Sequence, residues 1–225
     1  MNWEIIIKWL PKLAQGATLT LELVAIAVIA GLLLAIPLGI ARSSRLWWVR
    51  AFPYGYIFFF RGTPLLVQLF LVYYGLAQFD VIRNSSMWPY LRDPFWCATA
   101  TMTLHTAAYI AEILRGALQS IPKGEIEAGR AFGMSRSTLI RRVWLPRAIR
   151  IALPTIAGEV VLQLKATPLA FTVTVMDLYS VAYKIRQDTL LVYEPLILVA
   201  VFYVALSALI VNVFGRIERQ LPVRR

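Results

Sequence analysis

Lys123–Pro146, KGEIEAGRAFGMSRSTLIRRVWLP, is charged where almost everything on either side of it is apolar. Such a stretch reads as a handle held out into water by a protein otherwise built for lipid. Its spelling predicts two short helices. Glu125 to Phe132 has helix-forming composition, with acids in the first turn where the helix dipole favours negative charge. Gly133 supplies the left-handed residue that commonly closes a helix. Ser135 can cap the next helix, which is expected to stop by Leu145 because Pro146 disfavours helical backbone in the residue before it. In that second helix Leu139, Ile140, Val143 and Trp144 share one face, while Arg136, Arg141 and Arg142 lie elsewhere. The stretch therefore suits either a basic amphipathic helix on lipid headgroups or a docking element for a soluble partner.

The rest of the chain decides which setting the handle has. Hydrophobic residues make up 59% of the 225, above the roughly half that soluble domains use. That composition belongs to a protein of the lipid bilayer. The formal charge of +11 does not point to nucleic acid, because the bases fall in short segments between apolar runs and form no single stripe. One cysteine, Cys97, allows no intrachain disulfide and has no metal-ligand spacing around it. The N-terminal MNWEIIIKWLPKLAQG lacks the basic region and cleavable apolar core of a signal peptide; it is expected to stay on the protein and lie along the membrane surface.

Five apolar runs are each long enough to cross a bilayer, which takes roughly 20 residues. They extend from about Ala17 to Ala41, Phe52 to Phe79, Phe95 to Leu118, Ile151 to Met176 and Leu190 to Phe214. The first carries a ladder of small residues, Ala27, Gly31, Ala35 and Gly39, and the third another, Thr99, Thr103, Ala107 and Ala111. Such ladders let helices approach closely and offer faces to a partner. Pro37 is expected to kink the first run. Bases concentrate in the loop holding Arg42, Arg45 and Arg50, in the handle, and in the tail with Arg216, Arg219, Arg224 and Arg225. The loops at 80–94 and around Asp177, Lys184, Arg186 and Asp188 are nearly balanced. The positive-inside rule then places the N-terminus outside and the handle and C-terminus in the cytoplasm. The expectation is an all-α integral membrane protein of five transmembrane helices, one domain over residues 1–225 with the handle at 123–146 inside it.

Two runs are interrupted in nearly the same words, Arg61-Gly62-Thr63-Pro64-Leu65 and Lys165-Ala166-Thr167-Pro168-Leu169. Paired proline interruptions free backbone groups that are tolerated only inside protein or against a wet cavity, so they point to a substrate pathway. The plainer alternative is that each proline kinks a packed helix and each base reaches the surface. Arg61, Thr63, Lys165 and Thr167 are pathway residues on the first reading. The intramembrane acids Glu112 and Glu159 join them. Arg115, three residues after Glu112, can neutralise it on the same face; Glu159 has no such neighbour and suits a partner across a helix interface or a cationic ligand. His105 reads as a hydrogen-bonded interior histidine. No metal cluster, nucleophile elbow or paired catalytic carboxylates can be read, and no GxxxxGK[ST] loop, so the chain is expected to be no enzyme and to hydrolyse no nucleotide itself. The rival readings are a membrane scaffold that moves no solute, for which the paired Thr-Pro breaks are superfluous, a secondary transporter and, more weakly, a membrane enzyme.

Glu127-Ala128-Gly129, then Gly133, then Val143-Trp144-Leu145-Pro146 resemble the EAA signature of ATP-binding-cassette importer permeases, with Gly129 for the third small residue and Val143 for isoleucine. With RGTPLLVQLF at 61–70, AYIAEILRGALQSIPKGEIEAGRAFG at 108–133, RAIRIALP at 147–154 and LAFTVTVMDL at 169–178, the chain is similar along nearly its whole length to polar amino-acid uptake permeases. Among these it most resembles the M-type subunits of histidine/lysine/arginine/ornithine and opine transporters. Gly158, and Ala166-Thr167-Pro168 after the lysine, depart from the pattern of many such permeases, so roles there are not carried over. The resemblance implies a type I importer permease fold in the bacterial inner membrane and transport of a basic amino acid, or of another polar amino acid or an opine. It implies a second permease subunit, two cytoplasmic ATPases that use the ATP and Mg, and a periplasmic binding protein. It makes Glu125, Glu127, Ala128, Gly129, Gly133, Met134 and Ser135 the coupling residues, with Glu127 pairing a base on the ATPase; no cofactor is implied for this chain.

Overall fold

The computed structural model describes the backbone of residues 3–220 and the side chains of residues 8–220. Among these there are helices and turns and no strand. The first helix, α1 (Trp3–Arg42), passes through Pro11 and Pro37 without ending at either. At 1.5 Å per residue it is roughly 60 Å long, about twice the hydrocarbon thickness of a bilayer. Its early part is therefore more than a surface appendage: Trp9, Leu13 and Ala17 are buried in one cluster with Leu178, Val181 and Ile185. The expected surface segment is thus, from Lys8 onward, the start of the first long helix; the side chains of residues 1–7 and the arginines at 224 and 225 lie outside the described residues.

α2 (Trp47–Gly62) and α3 (Leu65–Phe70) replace the expected second run. From Leu65 the helix continues through a π turn, Leu71–Gly75, and a short 3-10 turn to Gln78, and it meets α2 at 107° across the Thr63-Pro64 break. Two one-turn helices, α4 (Asp80–Arg83) and α5 (Trp88–Leu91), lead to α6 (Pro94–Ser120), whose first turn is capped by the Asp93 side chain accepting from Trp96 N at 3.1 Å. The handle follows as α7 (Lys123–Ala131) and α8 (Arg136–Leu139). Then come α9 (Leu145–Ala166), a 3-10 stretch Thr167–Val173, α10 (Leu178–Thr189) and α11 (Tyr193–Gln220). Where a balanced loop was expected, α10 is an amphipathic helix with Leu178, Val181, Ala182 and Ile185 buried. Asp177 caps it and Leu178 N donates to Thr20 Oγ1 of α1 at 3.0 Å.

Three helices are long and apolar enough to cross a membrane, Lys8–Arg42, Arg136–Val173 and Tyr193–Gln220, and a fourth if the bent α2–α3 pair counts as one span. α6 matches them in length but is less apolar, and it sits in the middle of the bundle. Cys97, Ala98, Met102, Ala107, Ala108, Ile110 and Ala111 are all at 0% exposure. Protein replaces lipid around it, so its threonines are affordable: Thr99 and Thr101 donate back to the carbonyls of Phe95 and Cys97 at 2.7 and 2.9 Å. The two small-residue ladders meet each other here. A Cβ on Gly31 would stand 3.1 Å from Thr106 Cγ2, and one on Gly39 3.0 Å from the Ala111 carbonyl oxygen. Faces expected to receive a partner subunit are thus used inside the chain, α1 against α6.

Candidate functional site

The handle is built from local rules and then fastened to the bundle at two points. α7 ends in a Schellman turn: Gly133 at φ +74°, Gly133 N donating to Arg130 O at 2.9 Å and Met134 N to Gly129 O at 3.1 Å. Ser135 caps α8, accepting from Thr138 N at 3.2 Å. The two helices fold onto each other because Gly129 has no side chain; a Cβ there would lie 2.5 Å from Leu139 Cδ1 and 3.5 Å from Met134 Sδ. Arg147 and Glu125 pair at 3.5 Å, joining the first turn of α9 to that of α7. Trp144 Nε1 donates to Leu118 O at 2.9 Å, joining the handle to the end of α6. That carbonyl needs a donor from outside its own helix, because the residue four further on is Pro122, which has no N–H.

Two expectations for the handle are corrected. The second helix does not stop by Leu145: a π turn, Ile140–Trp144, carries it directly into α9, with Leu145 N bonding back five residues to Ile140 O. The wider turn shifts the register so that Pro146 enters in the first turn of α9, where a missing N–H is tolerated. The apolar face of that helix also turns to protein: Leu139 is buried and Trp144 packs with the core cluster of α1, α6 and α9. What remains in water is the outer side of α7, where Glu127, Ala128 and Phe132 are exposed and Phe132 is 85% so. So open an aromatic in a charged loop is a feature that its place in the motif did not bring out.

The polar interior lies where α1, α2 and α6 converge. A cleft of about 380 Å³ is lined by Arg42, Tyr54, Ile57, Phe58, Arg61, Gly62, Tyr109 and Glu112. Glu112 receives Arg115 through Nε at 2.9 Å and through its terminal nitrogen at 2.6 Å, and Arg61 stands 4.0 Å from the same oxygen. Arg61 lies over the Tyr109 ring at 5.2 Å and Arg42 over Tyr54 at 4.8 Å, geometry in which ring faces attract cations. Glu159 is buried on α9. Of the expected pathway residues the cleft thus gathers Arg61 and Glu112, and not Glu159. Lys165 is exposed on α9 and does not line it.

Both threonines of the Thr-Pro breaks turn toward backbone. Thr63 Oγ1 donates to Phe59 O at 2.8 Å, and Thr167 Oγ1 to Leu164 O at 2.9 Å while contacting Tyr203 at 3.0 Å. Leu164 is the residue whose carbonyl loses its donor four residues on to Pro168; the Thr167 N–H bonds it instead. Around the first break Gln68, buried at 2% exposure, donates to Phe60 O at 2.8 Å and Thr63 O at 3.0 Å, and faces His105 Nδ1 at 3.0 Å. Sequence reasoning passed over Arg42, Tyr54, Tyr109 and Gln68. The signal for Gln68 was present, a lone amide four residues after a proline in an apolar run.

A helical membrane bundle with a docked two-helix handle on one side and a charged cleft inside defines a membrane transport component. The chain belongs to the binding-protein-dependent transport system inner membrane component family, which matches residues 18–221. It is 45% identical to the octopine transport system permease protein OccM of Rhizobium radiobacter over 214 residues, 95% of this chain and 87% of that protein. It is 38% identical to the histidine/lysine/arginine/ornithine transport system permease protein HisM of Salmonella typhimurium over 206 residues, 91% of this chain and 88% of that one. Among solved structures, an amino acid ABC transporter crystallised with histidines superposes with a TM-score of 0.84 at 29% identity, covering 98% of this chain and 99% of the other. An inward-facing methionine transporter, MetNI, shares the fold at a TM-score of 0.79 and 22% identity, over 93% of this chain and 96% of that one. The family read from the EAA-like handle is the family to which the chain belongs.

Proposed function

We propose that this chain is the permease subunit of an ATP-driven importer of basic amino acids in a bacterial cytoplasmic membrane. It crosses five times, with the N-terminus outside and the handle and C-terminus in the cytoplasm. It pairs with a second, similar permease, receives substrate from a periplasmic binding protein, and is driven by two cytoplasmic ATPases that consume the ATP and Mg. The observation that carries the reading is a mechanical one. α6 and α9 each have one end fastened to the handle, through Trp144–Leu118 and Glu125–Arg147, and each carries an interior carboxylate, Glu112 or Glu159. A pull on α7 by an ATPase therefore moves α6, which lines the cleft, together with α9, which packs against it, the rigid-body rocking that alternating access requires.

The charges support the substrate class. Arg115 makes the short contacts to Glu112, and Arg61 stands farther off at 4.0 Å; on this reading Arg61 meets a substrate carboxylate and Glu159 a cationic side chain. A second reading, an opine carrying an additional carboxylate, is favoured by Arg42 beside Arg61 in the same cleft and by the likeness to the octopine permease. Uptake of radiolabelled arginine, histidine, octopine and glutamine by the reconstituted complex decides. Arginine or histidine uptake is expected; octopine alone selects the second reading, and glutamine alone overturns both. Purifying the chain from detergent with its neighbouring gene products tests the ATPases, second permease and binding protein together.

A further inference from the structure

We propose that Gln68 and His105 form a positioning pair that fixes the angle between α2 and α3 and, through it, the place of Arg61 in the cleft; its bearing on transport rests on the reading of that cleft as the substrate path. The need for such a pair starts at Pro64. In an uninterrupted helix the Phe60 carbonyl would accept from the residue four further on, which is Pro64 and has no N–H. The Gln68 amide takes that place at 2.8 Å and reaches Thr63 O and Oγ1 at 3.0 and 2.8 Å. Thr63 Oγ1 spends its own proton on Phe59 O, so it accepts from Gln68. One side chain from α3, its two N–H donors shared among three acceptors, thus holds the last turn of α2 and closes the 107° bend.

The same contacts fix the other end of Gln68. Two carbonyl oxygens can only accept, so the amide nitrogen must face them and the amide oxygen must face His105. His105 Nδ1, 3.0 Å away, is therefore the donor. His105 stacks against Tyr109 with ring centroids 4.7 Å apart, and Tyr109 carries the Arg61 guanidinium. Arg61 is held from two directions, through the backbone next to Phe60 and through the face of its aromatic neighbour. Both lead back to Gln68.

The test uses the complete transporter in lipid nanodiscs, with spin labels at Phe52 and Tyr74, exposed positions on either side of the bend. The parent should give one narrow distance distribution, and Gln68→Leu a broad one. The half-saturating substrate concentration should rise about tenfold, the equivalent of one net hydrogen bond, with a smaller change in maximal rate. Gln68→Glu keeps the size but sets acceptors against Phe60 O and Thr63 O; it should also broaden the distribution, and it is the variant read if Gln68→Leu fails to assemble. His105→Asn, which retains a donor, should restore what His105→Leu loses. A parent-like distribution in Gln68→Glu, or equal behaviour of His105→Asn and His105→Leu, overturns the proposal. A broadened bend with unchanged half-saturation supports the pair and sinks the pathway reading of the cleft, because the distance is measured without substrate.

Discussion

Replacing Gly133 by valine separates the handle's shape from its contacts. Gly133 has φ +74°, and a Cβ built on it meets nothing within 4 Å. The substitution therefore costs backbone conformation and no packing. An L-residue in the left-handed region pays about 1–2 kcal/mol, and β-branching makes valine harsher still. Since about 1.4 kcal/mol is a factor of ten in a conformational equilibrium, the Schellman turn should be populated roughly five- to thirtyfold less relative to its alternatives. The turn sets the direction in which α7 leaves α8, so its loss should misalign α7 on the ATPase while α6 and α9 insert as before. The assay is substrate uptake and binding-protein-stimulated ATP hydrolysis in proteoliposomes, normalised to the amount of assembled complex. Gly133→Val should lower both severalfold or more at normal complex yield, and Gly133→Asn, which tolerates this backbone, should lie near the parent. Parent-like uptake by Gly133→Val, or equal loss in the two variants, would refute the argument that a left-handed turn, and not merely a small residue, is required.

Glu127→Lys reverses an exposed charge that makes no ion pair among the described residues; complex stability should hold while stimulated ATPase activity and uptake fall, and normal coupling would exclude Glu127 from the docking surface. Trp144→Phe removes the donor to Leu118 O and should lower stability by about 1–2 kcal/mol, read as a drop in thermal unfolding midpoint of the detergent-purified complex. Gly39→Ala adds a Cβ 3.0 Å from the Ala111 carbonyl oxygen, whereas at Gly215 nothing stands within 4 Å. The first should destabilise despite alanine's preference for helix and the second should stabilise, by up to about 1 kcal/mol. If both change stability in the same direction, the close approach of α1 to α6 is not what selects glycine.

The handle was the most legible part because its turn chemistry is local: Gly133 and Ser135 mark the end of one helix and the start of the next whatever surrounds them. The Pro146 boundary failed for a tertiary reason, since a π turn lets the chain keep helical direction while the proline changes its place in the ladder. The ladders on α1 and α6 announced close approach, yet spacing carries no information about which helix approaches, and they found each other. α10 was hidden by attention to charge. Leu178, Val181, Ala182 and Ile185 fall at i, i+3, i+4 and i+7, the period of a buried helix face, but the balanced acids and bases between them read as a loop. In the cleft, Arg61 and Glu112 were visible as charges in apolar runs, whereas Arg42 and the two tyrosines belong to it only through the meeting of three helices.

The two Thr-Pro breaks show how little of such a site is carried by its own letters. Each proline removes the donor four residues on from one carbonyl in the preceding turn, Phe60 or Leu164, and each needs another because an unpaired buried carbonyl costs about 1–3 kcal/mol. At the second break Thr167 supplies it from both its backbone N–H and its hydroxyl, each donating to Leu164 O, and the chain continues as a 3-10 helix in nearly its former direction. At the first, Thr63 is spent on Phe59 O, and the donor comes from Gln68 on the far side of the break. The residue four after each proline separates the two cases. Thr172 is too short to return and bonds locally to Leu169 O at 2.7 Å, whereas Gln68 folds α3 back against α2 and draws His105 of α6 into the joint. Identical punctuation therefore yields a straight helix in one place and a sharp bend in the other, and it is the bent one that delivers a charged side chain to the cleft.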